Sequence, residues 1–304
     1  MWKNFSSIKL AASTSAPVKR RYSITADILA YERCSLQYGL FAARKYEPAL
    51  AVQIFYGTVI HQVLDRAHAH FHGDIEGKAK GSLPSNADID EYFNEVRNAL
   101  NSRQIRASEA VREQALTVLK RFNALEGPTL YPRVLDTECR LQTDQQTYVL
   151  HGNVDVLAET AGVPKGEKGV EIWDYKGTKR PSLAAPDYDQ YVFQMQVYAE
   201  LYKRRTGTYP TRAILYFLNE LSGDHEPKAR PTNAVLVVKI DQAEVAKAIA
   251  SFSATVSQIE SCKSTQKWSD PKHPPPLETC NACDARWNCE AARKMKRTYK
   301  MLIP

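Results

Sequence analysis

The sequence predicts an α/β protein with a central mixed sheet flanked by helices. Helical periodicity fills the N-terminal part, and three β-branched or alternating stretches follow it. The order then becomes helix, strand, strand and helix. The 304 residues suffice for one large domain, alone or with a smaller lobe, and the 43% apolar content provides a sizeable core. No apolar run reaches the roughly 18 residues of a membrane span, so we expect no transmembrane helix.

The N-terminal elements are predicted to be helices. YSITADILAYERCSLQYGLFAARKY has apolar residues spaced by three and four, with Thr25 as the predicted N-cap. Three more helices are expected, over about residues 55–71, 88–102 and 108–125. The polar stretch GDIEGKAKGSLPSNAD is a predicted loop between the first two of these three.

The periodicity then changes to that of strands. RVLDTECRLQTD, TYVLHGNVDVLAE and GVEIWDYKGTK are separated by short polar turns, which predicts an antiparallel meander. A helix over about 187–206, the strands TRAILYFLN and AVLVVKI, and a helix over about 241–262 follow. The proline-rich segment KSTQKWSDPKHPPPLET leads to a cysteine cluster.

These elements divide the chain into four predicted regions. They are a flexible basic leader (1–21), an N-terminal helical region (22–130), an α/β core (131–262) and a linker with a cysteine-rich tail (263–304). The first 22 residues lack acidic residues and contain several serines, a bias shared with organellar transit peptides. We favour a leader of a cytoplasmic protein over an imported one.

Charge and cysteine content restrict the function classes. The chain has 41 basic and 34 acidic residues, a net charge of +7 and a pI near 9.0, compatible with a nucleic-acid partner. The six cysteines cluster in sequence, unlike the dense disulfide framework of small secreted proteins. We therefore expect reduced thiols.

Two predicted strands carry a candidate catalytic site. GNVDVLAE places Asp155 in or at the end of one strand, and VEIWDYKG places Asp174 and Lys176 two apart, on one face of the next. Adjacent carboxylates repel each other, and Mg²⁺ relieves that repulsion, while a lysine can orient water or offset phosphate charge. Alone, a D-x-K pair more often lies on a solvated strand face.

Further residues favour the functional interpretation. Gln194 and Tyr198 are four apart on the helix after the strand, so they share a face. His61 lies on an early helix and could complete a cation shell. The apolar neighbours of the acidic residues indicate strands near a core; they are Val154, Val156, Ile172 and Trp173.

Together the motifs resemble the PD-(D/E)XK nuclease superfamily, in its RecB-like branch with an iron–sulfur cluster, which includes CRISPR-adaptation nucleases and AddB-type subunits. The matching motifs are G-x-x-x-H in YGTVIH, G-x-x-D in HGNVD, D-x-K in DYK and Q-x-x-x-Y in QMQVY. The resemblance spans about residues 22–292. Each motif is loose alone, and their order and joint presence are specific.

The resemblance implies a restriction-endonuclease-like core and a role for each motif residue. His61, Asp155, Asp174 and the Tyr175 backbone carbonyl would bind Mg²⁺ or Mn²⁺. Lys176 would position or activate water, and Gln194 and Tyr198 would support the site or touch the nucleic acid. Glu138, on the preceding strand, is an outer ligand or, as we favour, a surface strand residue.

A second metal centre is implied by four cysteines. The resemblance makes Cys34, Cys280, Cys283 and Cys289 the ligands of a [4Fe–4S] cluster that joins the N- and C-terminal segments. The family often has a proline after the first cysteine, where this chain has Ser35. Zinc is the less favoured alternative. The other two cysteines, Cys139 and Cys262, are expected to be ordinary buried thiols.

Other motifs receive structural interpretations. His68, His70 and His72 invite a metal site, but a solvated or packed helix end is favoured. Arg286 and Trp287 are expected to pack near the cluster. Two basic stretches are expected to be solvated rather than to follow a phosphate backbone; they are ARKMKRTYK and the leader's Lys19, Arg20 and Arg21.

The predicted function is a metal-dependent DNA nuclease, with exonuclease action on single-stranded or frayed DNA implied by the resemblance. DNA repair, recombination, phage replication and antiviral defence all use such modules. No helicase motif occurs, so unwinding would need a helicase or defence-complex partner. The rival interpretations are a non-catalytic iron–sulfur subunit that binds DNA or assembles a complex, and a zinc-ribbon binding protein.

Overall fold

The computed structural model describes residues 19–43, 52–162, 169–268, 275, 277–281, 283–290 and 292. Most of the predicted leader, residues 269–274 and 276 of the proline-rich segment, and nearly all of the basic run after Cys289 lie outside these described residues.

A six-stranded mixed sheet forms the centre of the described chain. Its strands are β1 (Arg20–Ser23), β2 (Val134–Asp144), β3 (Tyr148–Glu159), β4 (Val170–Lys176), β5 (Arg212–Phe217) and β6 (Val235–Lys239). Strands β2, β3 and β4 form the predicted antiparallel meander, and β5 adds parallel to β4. Strand β1 pairs parallel with the first half of β3. The predicted α/β class with a mixed sheet is confirmed.

Helices cover both faces of this sheet. The elements are the single turns α1 (Ala30–Arg33) and α2 (Ser35–Tyr38), the helices α3 (Val52–His72), α4 (Asn86–Ser102), α5 (Glu109–Leu130), α6 (Pro186–Thr206) and α7 (Gln242–Thr265), and the short α8 (Leu277–Asn281). Helices α3, α4 and α5 share one hydrophobic cluster with the sheet, and α6 and α7 share the other. None of the described helices meets the length and hydrophobicity that a membrane crossing requires.

The N-terminal segment differs from the predicted helix. Thr25 as N-cap is wrong, because Ser23 ends β1 in an extended conformation and its Oγ accepts from the Ala26 N–H at 3.1 Å. The helical turns that follow are interrupted at Cys34, whose φ of −162° is extended. Strand β1 was not predicted, and it begins with two arginines of the predicted leader.

The side-chain alternation of β2 and β3 breaks at one point. Val154 packs with α6 and α7, whereas Val156 packs with α3, α4 and α5, although residues two apart on a regular strand face the same way. On β2, Glu138 has a φ of +47°, between the pairs Thr137–Val156 and Cys139–Val154. The break therefore places Glu138 opposite Asp155.

Gly152 is required by packing. A Cβ at this position would lie 2.8 Å from the Tyr198 ring and 3.3 Å from Leu201. Gly57 offers a contrast, since a Cβ there would meet nothing within 4 Å. The glycine of the G-x-x-D motif thus lets α6 approach β3, whereas that of the G-x-x-x-H motif is open.

Gly152→Ala is expected to lower the free energy of unfolding by about 2 kcal/mol, because the added methyl overpacks a rigid contact. The matched variant Gly57→Ala should leave stability unchanged or raise it by up to about 1 kcal/mol, since alanine favours helix. Urea unfolding monitored by circular dichroism measures both. Equal destabilisation by the two variants would contradict the packing argument.

Candidate active site

The candidate site lies where β3 and β4 diverge. The last backbone pair between them is Val156–Trp173, and the next residues are Asp155 and Asp174. Beyond this fork the Tyr175 N–H donates to Asp155 Oδ2 at 2.6 Å, so a side chain takes the place of the neighbouring strand. Asp155 is fixed in the plane of the sheet by this bond.

Asp174, Lys176 and Gln194 form one connected group. Gln194 Nε2 donates to Asp174 Oδ1 at 2.8 Å, and Lys176 Nζ donates to Gln194 Oε1 at 2.9 Å. Among the described residues no donor makes a hydrogen bond to Asp174 Oδ2, although Lys176 Nζ lies 2.7 Å away as an ion pair. The α6 amide thus holds the lysine and the carboxylate in register.

Burial raises the pKa of the Asp174 carboxyl; Lys176 opposes this rise and Asp155 adds to it. The same neighbourhood acts on Glu138, whose pKa is raised by burial and then by Asp155. A second cation beside these carboxylates would favour their charged forms.

His61, on α3, lies beside two of the carboxylates. Its Nδ1 lies 3.3 Å from Asp155 Oδ1 and 3.9 Å from Glu138 Oε1. Burial is the largest single effect and lowers the pKa of His61, but Asp155, Asp174 and Glu138 together raise it to about 9. One ligand atom from each of these three residues lies within 4.8 Å of the other two. Such a set of oxygen and imidazole donors suits a divalent ion.

Glu138 lies in this group through an uncommon backbone conformation. A φ of +47° is left-handed, and a non-glycine residue there is strained. Its side chain is 41% exposed, so it is both a surface residue, as favoured from the sequence, and a neighbour of His61 and Asp155. The sequence contains no signal of the left-handed conformation.

The two α6 motif residues are buried. Gln194 is 2% exposed and Tyr198 is 4% exposed. Burial, followed by Asp174, raises the pKa of Tyr198 well above its usual value. These positions suit support of the site rather than contact with a nucleic acid. Sequence reasoning missed Tyr191, whose ring centroid lies 5.0 Å from Lys176 Nζ, although it is three residues before Gln194 on the same helix.

Two open clefts meet at the site. One, of about 530 Å³, is lined by His61, Asp65 and Glu138. The other, of about 390 Å³, is lined by Tyr56 and by Gly177, the residue after Lys176. Gly57 lines both clefts, so the open helix surface at this glycine connects them. The first cleft thus opens on His61 and Glu138, and the second opens beside Gly177, next to Lys176.

The four predicted cluster cysteines line one shared cavity, together with Arg286 and Ala292. Burial raises the pKa of Cys34, with Cys283 and Cys289 adding to the rise. The other two cysteines lie elsewhere, with Cys139 beside Arg205 and Cys262 beside Tyr31. Trp287 is 60% exposed and lies under the Arg286 guanidinium, so only the arginine lines the cavity.

The other histidines of α3 are separated from this centre. His68 is buried and its Nε2 lies 3.1 Å from the Tyr175 hydroxyl, and burial lowers its pKa to about 3. His70 lies between Tyr92 and Ser82. Among the described residues, the only group of three metal-ligating side chains is that of His61, and it contains neither of these histidines. The packed-helix interpretation fits these positions.

The sequence matches the family model of the PD-(D/E)XK nuclease superfamily over residues 25–290. The chain belongs to the PD-(D/E)XK nuclease superfamily. No curated protein sequence matches the chain.

Two crystal structures resemble the fold. One, from Eubacterium rectale, is of a protein provisionally designated an exonuclease; it shares 12% identity with a TM-score of 0.48, over 91% of this chain and 89% of that chain. The other, SSO0001, shares 14% identity with a TM-score of 0.35, over 87% of this chain and 97% of that chain. At these scores neither carries a functional argument.

Glu138→Gly is expected to unfold with a free energy about 1 kcal/mol higher than Glu138→Ala, because only glycine adopts the left-handed conformation without strain. Both variants lose the carboxylate, so their difference isolates the backbone. Urea unfolding in EDTA measures it. Equal stability of the two variants would show that the chain relaxes away from a φ of +47° at no cost.

Proposed function

We propose that this protein is a divalent-metal-dependent nuclease that hydrolyses phosphodiester bonds in DNA. The observation that carries the proposal is the convergence of Asp155, Asp174 and Lys176 at the fork of β3 and β4, beside His61 and two open clefts. Membership of a nuclease superfamily supports it.

The donor set fits Mg²⁺ or Mn²⁺. Hard cations of this type prefer carboxylate, carbonyl and water oxygens, and Mn²⁺ also accepts imidazole. We assign His61, Asp155 and Asp174 as ligands, with the Tyr175 carbonyl, and add Glu138 because of its place beside His61. When bound, the ion supplies Lewis-acid stabilisation of the charge that develops on the phosphate.

The protein's own groups act around that ion. Hydrolysis adds water across the phosphorus–oxygen bond and releases an alcohol and a phosphate monoester. The Lys176 ammonium, held by Asp174 and Gln194, can orient the attacking water and offset negative charge on phosphorus. Gln194 fixes both partners, so we assign it and Tyr198 as supports of the site.

We also assign a [4Fe–4S] cluster to Cys34, Cys280, Cys283 and Cys289. Four thiols around one cavity are a suitable ligand set. Zinc sites more often use cysteine pairs close in sequence, whereas Cys34 lies about 250 residues before the other three cysteines.

From the family resemblance we further propose exonuclease action on single-stranded or frayed DNA. The role would lie in repair, recombination, phage replication or defence. The net charge of +7 suits a DNA substrate. A helicase or defence-complex partner would supply unwinding, and reduced thiols suit the cytoplasm. The rival is a subunit that binds DNA without cleaving it.

Lys176→Ala is expected to lower the rate of DNA cleavage by about a hundredfold or more, because water and phosphate lose their fixed cation. Anaerobically purified protein would be incubated with end-labelled single- and double-stranded DNA and Mg²⁺ or Mn²⁺. The product ladder reports polarity. Lys247→Ala, an exposed lysine on α7, is the charge-matched control and should cleave like wild type.

If wild-type protein binds this DNA but cleaves none of it with an intact cluster, the non-catalytic subunit is the better interpretation. If Lys176→Ala cleaves as fast as wild type, the assigned site is wrong. Retained DNA binding by Asp174→Ala, together with lost cleavage, separates catalysis from binding.

Cys34→Ser is expected to abolish the iron and sulfide content of anaerobically purified protein or reduce it severely, because one of four ligands is lost. Cys262→Ser is the matched control, since this half-buried thiol contacts Tyr31 outside the cysteine cavity. Iron and acid-labile sulfide assays measure both. Zinc without sulfide in wild-type protein would contradict the cluster.

A further inference from the structure

A basic face of the sheet continues beyond the candidate active site. On β3, Leu150, Gly152 and Val154 face α6 and α7, so Asn153 and His151, which alternate with them, point to the opposite face. On β2, Arg140 pairs with Asn153 and Gln142 pairs with His151. We call the group of Arg21, Arg140, Gln142, His151 and Asn153 the basic strip.

The strip lines a cleft of about 470 Å³ that runs across β1, β3 and β2. Arg21 enters it from β1, where it pairs with Val149. The side chains of Arg21, Arg140, Gln142 and Asn153 are exposed, and His151 is half-buried. Their donors therefore face an open cleft.

The break in alternation leaves this face uncovered. The part of this face that contains Thr137 and Val156 packs under α3, where the Thr137 hydroxyl donates to Asp65 at 2.6 Å. On the other side of the break, Arg140 and Asn153 remain exposed. The strip thus begins where the helical layer ends, two residues from Glu138 and Asp155.

The positive charge of the basic strip acts near His151 and ends at Asp144. Burial lowers the pKa of His151, and Arg21 and Arg140 lower it further, so two fixed positive charges act on the same point of the cleft. Asp27 acts in the opposite direction and raises this pKa; its carboxylate accepts hydrogen bonds from the Ser23 N–H and the Tyr38 hydroxyl. The exposed Asp144, paired with Val149, marks the far end of the strip.

The dimensions match one strand of a polyanion. At about 3.3 Å per residue, His151 lies about 13 Å along β3 from Asp155. Three sheet strands give a width of about 10 Å, enough for one sugar-phosphate backbone. Arginine and amide side chains are common donors to phosphate and sugar oxygens.

We propose that the basic strip binds the sugar-phosphate backbone of a single nucleic-acid strand whose scissile phosphate lies at the fork of β3 and β4. This rests on the proposed nuclease function and deepens it. In this proposal the nucleotides on one side of the scissile phosphate lie along β1, β2 and β3. Arg21 and Arg140 therefore position the substrate without contacting the reacting atoms.

The test is the salt dependence of single-strand binding. Fluorescence anisotropy with a labelled single strand of about 20 nucleotides, longer than most single-strand footprints, would be measured in Ca²⁺ from low to moderate salt. Gels of the same samples verify that the strand is intact. Arg21→Ala/Arg140→Ala should bind about tenfold more weakly at low salt, and its salt slope should fall by about 0.7 for each arginine removed.

Two further variants make the result specific. Lys239→Ala/Lys247→Ala removes two exposed charges from β6 and α7, at the other side of the sheet, and should match wild type. Arg21→Lys/Arg140→Lys should retain most of the salt slope, since the charge remains. Circular dichroism verifies that each variant is folded.

An unchanged slope and affinity for Arg21→Ala/Arg140→Ala would overturn the proposal, and so would equal losses in the β6–α7 control. If wild type cleaves DNA while the strip variants bind normally, the strip is refuted and the nuclease function stands. If wild type neither binds nor cleaves a single strand, both fail. Loss of binding to a protein partner instead would identify a different occupant.

Discussion

The site depends on holding Asp155, Asp174 and Glu138 close together although their charges repel. Two of the three are buried, where water screens little of that repulsion. The fold stabilises the two buried carboxylates: a backbone N–H donates to Asp155, and Asp174 accepts from the Gln194 amide and forms an ion pair with Lys176. A divalent ion bound there would reduce the electrostatic repulsion that remains.

The fork and the break in alternation are two results of this one constraint. A regular β3–β4 pair would use the Tyr175 N–H in the ladder, leaving none for Asp155. On a regular β2, Glu138 would point to the face opposite that of Thr137 and so away from His61 on α3. Local irregularity of strands near active sites is common, since it redirects single side chains. Here it also ends the coverage by α3, which leaves Arg140 and Asn153 exposed.

Periodicity predicted most elements because their burial is regular. The meander, α6 and the D-x-K face all follow from apolar spacing, and β4 keeps strict alternation through Asp174 and Lys176. The misses are places where long-range contacts decide. Helix α5 continues through Pro128 to Leu130, past the predicted end at about residue 125, because Leu130 packs in the core. The left-handed Glu138 and the pairing of β1 with β3 leave no local signature.

The N-terminal segment connects the cysteine cavity to the site. Cys34 lies eleven residues after Ser23, the end of β1, and Tyr38 in the next turn donates to Asp27, which also binds Ser23. Gly39 lets the Trp268 ring pack directly on this segment, because a side chain there would overlap the ring. Since β1 pairs with β3 up to His151, the cysteines are mechanically coupled to the strand that carries Asp155. A metal centre at the cysteines would then stabilise the position of Arg21 and of the β3 segment beside it, far from the reacting atoms.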